Sequence, residues 1–152
     1  MRKDDKNGID VNVKKTSKLM ADELYKTSED LIIIVGHLAP YVLNPTGIDL
    51  VAVLRRSPYE LTKTLKQRKY TPEKIRENVA SEILGVSLYD TLKTFGKHKI
   101  TEIDITGKVP HHIADEIILL LQKKKKRKQV IGIVDWLSLI YKRGDLQKFL
   151  EY

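Results

Sequence analysis

Leu31-Ile32-Ile33-Ile34-Val35 is an unbroken apolar run in which β-branched side chains dominate. A strand buried on both faces reads this way. Gly36-His37-Leu38 closes the run, and Asp49-Leu50-Val51-Ala52-Val53-Leu54 is a second one of the same type. Downstream, Ser57-Pro58-Tyr59-Glu60 has the form of a helix start. Ser57 caps, Pro58 fits the first helical position, and Glu60 completes a capping box. Leu61 and Leu65 face inward, and Lys69-Tyr70 closes that helix. Thr71-Pro72-Glu73 opens the next. Its apolar stripe of Ile75, Val79, Ile83, Val86 and Leu92 predicts one long helix ending near Gly96.

Residues 100–105 alternate Ile with polar side chains, the pattern of a half-buried strand. Residues 106–110 then turn into a helix with Ile113, Ile117, Ile118 and Leu121 as its core face. Upstream, Val13, Leu19, Met20 and Leu24 predict a short helix over residues 11–25. Near the far end Asp135 caps a last helix, with Trp136 read as packing. Gly144-Asp145 breaks that helix, and a terminal turn follows from Leu146 to Phe149. Residues 130–133 are ambiguous by pattern. Strands alternating with helices predict an α/β fold with a parallel sheet.

The chain has 152 residues, enough for one domain with a real core. An apolar share of 41% is not that of a disordered chain. With no cysteine there are no disulfides, thiolate nucleophiles or Cys-type zinc clusters. No apolar run reaches the length of a membrane span, and Met1-Arg2-Lys3-Asp4-Asp5-Lys6 lacks the apolar core of a signal peptide. A soluble, cytoplasmic protein is expected. Lys and Arg number 28 against 20 Asp and Glu, a formal charge of +8, which points towards a polyanionic partner.

Three segments, taken in order, resemble one family. They are Ile34-Val35-Gly36-His37-Leu38-Ala39; Asp49 to Arg55 followed by residues 65–70 and 74–78; and Glu102-Ile103-Asp104-Ile105-Thr106-Gly107-Lys108. The family is the adenylate-kinase-like NTPases of ribosome biogenesis, the adenylate kinase isoenzyme six type. Val134-Asp135-Trp136-Leu137 resembles an archaeal extension of it. The resemblance spans residues 9–140 and implies a P-loop, nucleoside monophosphate kinase-like parallel sheet flanked by helices. It implies one kinase-like domain over 1–152, with a lid at 67–77 and a basic carboxy-terminal extension at 123–152. Its members bind ATP with Mg²⁺, phosphorylate AMP and other nucleoside monophosphates, and hydrolyse ATP. Their partner is a ribosomal protein of the small subunit during its maturation.

Two departures stand out. No G-x-x-x-x-G-K-[ST] phosphate loop (Walker A) occurs: Gly107-Lys108 is followed by Val109, and Gly96-Lys97 by His98. The resemblance therefore implies that the first, central strand of the sheet is missing. The expectation is that Met1 is not the natural start and that roughly 40 upstream residues complete a βαβ unit. Secondly, Val35 stands where the family often has an acidic residue, and it cannot orient a Mg²⁺-bound water.

The resemblance assigns candidate roles. Arg68 matches the lid arginine that contacts ATP, the alternative being a solvated helix end. Lys74 and Arg76 either assist it on the lid helix or are solvated. Lys108 matches the lysine beside the adenine, or is an ordinary turn lysine. His37 matches the histidine that positions the hydrolytic water, or is a hydrogen-bonded core residue. Lys123, Lys124, Lys125, Lys126, Arg127 and Lys128 form either an rRNA contact or a solvated basic helix end. His111-His112 point apart on a helix and make no chelating pair, so no metal site is expected. The alternative to an enzyme is a non-catalytic module that binds a ribosomal protein or rRNA.

Overall fold

The fold rests on two strands that lie far apart in sequence. In the computed structural model, which describes residues 2–4, 8–122 and 130–150, β1 (Arg2–Asp4) pairs antiparallel with β2 (Gly8–Asp10). After them come α1 (Val13–Lys26), α2 (Ala39–Val42), β3 (Val51–Arg55), α3 (Pro58–Gln67), α4 (Pro72–Ile83) and α5 (Val86–Phe95). A 3-10 turn at Lys97–Lys99 leads into β4 (Ile100–Asp104), followed by α6 (Pro110–Gln122), α7 (Trp136–Lys142) and α8 (Leu146–Leu150). β3 and β4 are parallel, with Val51 opposite Ile100 and Arg55 opposite Asp104. The result is the expected α/β arrangement, a parallel two-stranded sheet flanked by helices. No helix among the described residues is long and apolar enough to cross a membrane.

Two apolar cores hold it together. The first joins Leu65 of α3, Ile75, Val79 and Ile83 of α4, Trp136 and Ile140 of α7, and Phe149 of α8. The second joins Val53, Phe95 and Ile100, with Leu92 and Ile131 at its margin. Val79 and Ile140 are fully buried, each contributing about 1.5–3 kcal/mol relative to exposure.

Between the cores lies a buried ionic cluster. Arg55 donates through Nε to Glu82 at 2.8 Å, through Nη1 to Glu102, and through Nη2 to the Glu82 carbonyl at 2.9 Å. Glu82 also accepts the Trp136 indole N–H at 2.8 Å and the Arg56 N–H at 3.2 Å. Glu102 accepts the N–H groups of Gly132 and Ile133 at 2.6 and 3.0 Å. A buried carboxylate needs this many donors, because desolvating it without them is costly. The cluster also resolves the ambiguous residues 130–133. They form a strap across β4, with the Glu102 N–H donating to the Val130 carbonyl at 2.8 Å.

Several sequence expectations are corrected. Leu31-Ile32-Ile33-Ile34-Val35 does not form a strand; four of its five side chains are exposed, Val35 at 90%. Strands exist by pairing, and among the described residues β3 pairs with β4 alone, which leaves this run without a ladder. The long helix predicted over 71–96 is two, because Gly85 takes a left-handed conformation at φ 67° and turns the chain between α4 and α5. β4 is buried through Ile103 rather than half-buried, since Glu102 and Thr101 lie inside as well. In α6, Ile118 is exposed and no residue is fully buried. Other expectations hold. Thr71 accepts the Lys74 N–H, Asp135 accepts the Ser138 N–H, and Trp136 is core.

Candidate functional site at the carboxyl ends of the strands

Open parallel sheets bind ligands beyond the carboxyl ends of their strands. Here that region holds residues 56–60, leaving β3, and residues 105–109, leaving β4. The Ile105 N–H donates to the Arg55 carbonyl at 2.8 Å, extending the ladder by one step. Thr106 then turns on the Asp104 carboxylate, its N–H donating at 2.9 Å. Gly107 has φ 69°, which a side chain would oppose, and Lys108 follows on the exposed rim.

The capping box predicted at Ser57 and Glu60 is not closed. Ser57 makes no side-chain cap, and its N–H donates to Thr106 Oγ1 at 2.8 Å. Glu60 Oε2 instead accepts the Gly107 N–H at 3.2 Å and the Arg56 Nε–H at 3.3 Å. Both partners of the box are diverted to the loop after β4. The Ser-x-x-Glu spacing was visible in the sequence; its non-local partners were not.

Lys108 sits on that loop with Nζ 2.7 Å from Glu116 of α6. Arg68 is the carboxy-terminal cap of α3, exposed, and makes no ion pair among the described residues. The turn beside it is a Schellman motif. Lys69 N–H donates to the Lys66 carbonyl at 2.9 Å and Tyr70 N–H to the Leu65 carbonyl at 3.2 Å. Lys69 occupies the left-handed position at φ 59°, the one non-glycine residue among those described to do so. Lys74 and Arg76 each pair one turn away on α4, with Glu77 at 3.2 Å and Glu73 at 3.6 Å. The Glu73 carboxyl is held below its ordinary range by its own backbone N–H and the Thr71 hydroxyl.

His37 does not end a buried strand. It is exposed in the turn before α2. The contacts fixing that segment lie towards the amino ends of the strands. The Thr94 hydroxyl donates to the Pro40 carbonyl at 3.0 Å, and Lys99 to the Pro45 carbonyl at 2.6 Å. His111 and His112 lie exposed in the first turn of α6, ring edge to ring face. Residues 123–128, the basic run, lie outside the described residues. Arg56, Glu60, Arg55 and Glu102 went unnoticed as a group. The available signal was a charged residue ending or interrupting an apolar strand, which implies a buried partner.

No family model matches the chain. Curated relatives do. It is 36% identical to a protein of Methanocaldococcus jannaschii named "Putative adenylate kinase", over 88% of this chain and 67% of the relative. It is 32% identical to the Thermococcus onnurineus protein of the same name, over 84% and 65%. The Pyrococcus furiosus protein of that name is 39% identical over 71% and 56%. The chain belongs to this archaeal adenylate kinase family. It spans roughly half to two-thirds of the length of these relatives. Within this family member the described residues supply a strand-end loop, a helical hairpin of α3 and α4 with Arg68 at its tip, and α7 and α8 packed on that hairpin.

Proposed function

We propose that this chain forms the lid and base-side half of an ATP-dependent nucleoside monophosphate kinase. The observation that carries the reading is the meeting of residues 105–109 with the first turn of α3 beyond the carboxyl ends of β3 and β4, in a chain of this family. ATP and AMP are the substrates. The γ-phosphoryl group passes to the AMP phosphate, and to water in an ATPase side activity. Such transfer is achieved by positioning and by neutralising charge. Arg68 is the phosphate contact, an exposed guanidinium at the hairpin tip suited to bidentate pairing. Lys74 and Arg76 support it only by leaving their carboxylates. Lys108 faces the base side once it exchanges Glu116 for ligand. His37 serves the hydrolytic step only if residues 31–36 are drawn into the sheet.

Mg²⁺ enters such chemistry with the nucleotide. The described residues by themselves gather no three His, Asp or Glu side chains that could hold it. The phosphate cradle is likewise absent from residues 1–152. Among the described residues one edge of β3 is unpaired, and a strand carrying the cradle would pair there. The chain alone is therefore expected to convert ATP and AMP to ADP negligibly. With the cradle restored, ADP formation appears and falls at least tenfold in Arg68→Ala, as for loss of a charged hydrogen bond. Robust Arg68-dependent ADP formation by the chain alone would remove the need for the cradle. Arg68-independent turnover would move the phosphate contact elsewhere.

A second reading is a binding module for a small-subunit ribosomal protein or rRNA, active in maturation of that subunit. The +8 charge and the run Lys123 to Lys128 favour it. Neutralising the run should then flatten the salt dependence of RNA binding. An unchanged slope removes this reading.

A further inference from the structure

The diverted capping box is a two-ended latch. Ser57 and Glu60 begin a helix, yet their hydrogen bonds reach across to residues 106 and 107, 49 and 47 positions later. In the Ser-x-x-Glu pattern the glutamate satisfies the Ser N–H, and the serine side chain caps the helix. Ser57 makes no side-chain cap, and the loop after β4 takes both ends of the other bond, the Ser57 N–H and the Glu60 carboxylate. Glu60 is half-exposed and fixed from two sides, by the Gly107 N–H and by Arg56. Gly107 precedes Lys108 directly, so the Glu60 carboxylate sets the height and tilt of the turn that presents Lys108. If the loop leaves, the Ser57 N–H and the Glu60 carboxylate are free to bond each other as the capping box has it.

We propose that Glu60 is a positioning residue for nucleotide, acting through the Gly107 amide to hold the loop of residues 105–109 in its ligand-accepting form. The proposal rests on the kinase reading above for the identity of the ligand, but the latch itself does not. The role needs an acceptor oxygen at Glu60, with its charge secondary. Glu60→Gln therefore preserves the bond to Gly107, and Glu60→Ala removes it.

The test is amide hydrogen exchange at Gly107 in the wild-type chain and both variants, with Mg·ATP titrated into each. The urea midpoint is compared to establish equal folding. In Glu60→Ala the Gly107 amide should exchange about tenfold faster and the ATP Kd should rise by a similar factor, the loss of one hydrogen bond to a charged group. In Glu60→Gln both should rise by only about threefold, since a neutral acceptor retains roughly half of the net bond energy. Unchanged Gly107 exchange in Glu60→Ala would overturn the latch, whatever happens to ATP. Faster exchange with unchanged ATP affinity would overturn the positioning role and leave the kinase reading intact. If Glu60→Gln behaves as Glu60→Ala does, the charge of Glu60 in its pair with Arg56 is the operative feature and the proposal falls. If the wild-type chain binds no ATP, the positioning role falls, while exchange still reports on the latch.

Discussion

Residues 31–35 and 51–55 have nearly the same apolar character, and only the second became a strand. Val51–Arg55 has β4 beside it and α5 across one face, and it closes on a buried ion cluster through Arg55. Residues 31–35 have no paired neighbour among the described residues, and four of their five side chains are exposed. No residue of α1 is buried either. Strand character in sequence is a statement about burial, and burial needs a partner.

That contrast can be broken most forcefully at its ionic centre. Arg55→Leu strands the Glu82 and Glu102 carboxylates inside the protein. It should cost about 3–5 kcal/mol, read as a lower urea midpoint. A loss under about 1 kcal/mol would mean that the buried half does not depend on the cluster.

Paired truncations come next. Ile140→Ala, at a fully buried site, should cost about 2–5 kcal/mol. Ile33→Ala, at a side chain 70% exposed, should stay within about 0.5 kcal/mol. Equal costs would show that residues 31–35 are covered in solution, which would sharpen the case for a strand that seats on them.

How much of this was legible in the sequence follows from the same division. Where a partner was local, the sequence reported it. Thr71 and Asp135 were read as caps and are caps, because a cap bonds three residues away. Trp136 was read as packing because the aromatic residues are scattered and form no stacking platform, and it lies in the core. Where the partner was distant, the reading failed. Glu60 turned to Gly107 and not to Ser57, and the apolar run at 31–35 found no sheet. Gly85 was passed over because an unbroken apolar stripe outweighed a single glycine. Of the candidate residues, Arg68 caps α3 and Lys108 lies on the loop after β4. The pairing of Lys108 with Glu116 was not legible in the sequence.

Smaller effects probe how firmly the packed half is determined. Lys69 holds a left-handed conformation that costs a non-glycine residue about 1–2 kcal/mol. Lys69→Gly should recover about 1 kcal/mol, visible as a raised melting temperature. No gain would mean that the hairpin tip relaxes out of that conformation in solution.

The smallest effect is in acid. The Ser138 side chain and N–H hold the Asp135 carboxyl below its ordinary range. A depressed folded pKa contributes stability above the unfolded value, about 3.9, and loses it as pH falls through the folded value. Wild type and Asp135→Ala should therefore differ near neutrality and converge in acid. A constant gap across that range would assign the cap to the neutral hydrogen bond alone.

The only tryptophan in the chain has its indole N–H bonded to Glu82 of α4, while its ring lies in the core that joins the hairpin to α7 and α8. Its emission thus comes from a single, known place. A displacement of α3 and α4 from α7 and α8 that exposes the ring to water would shift its fluorescence to the red. The protein carries its own optical gauge of movement between α3–α4 and α7–α8, with no label required.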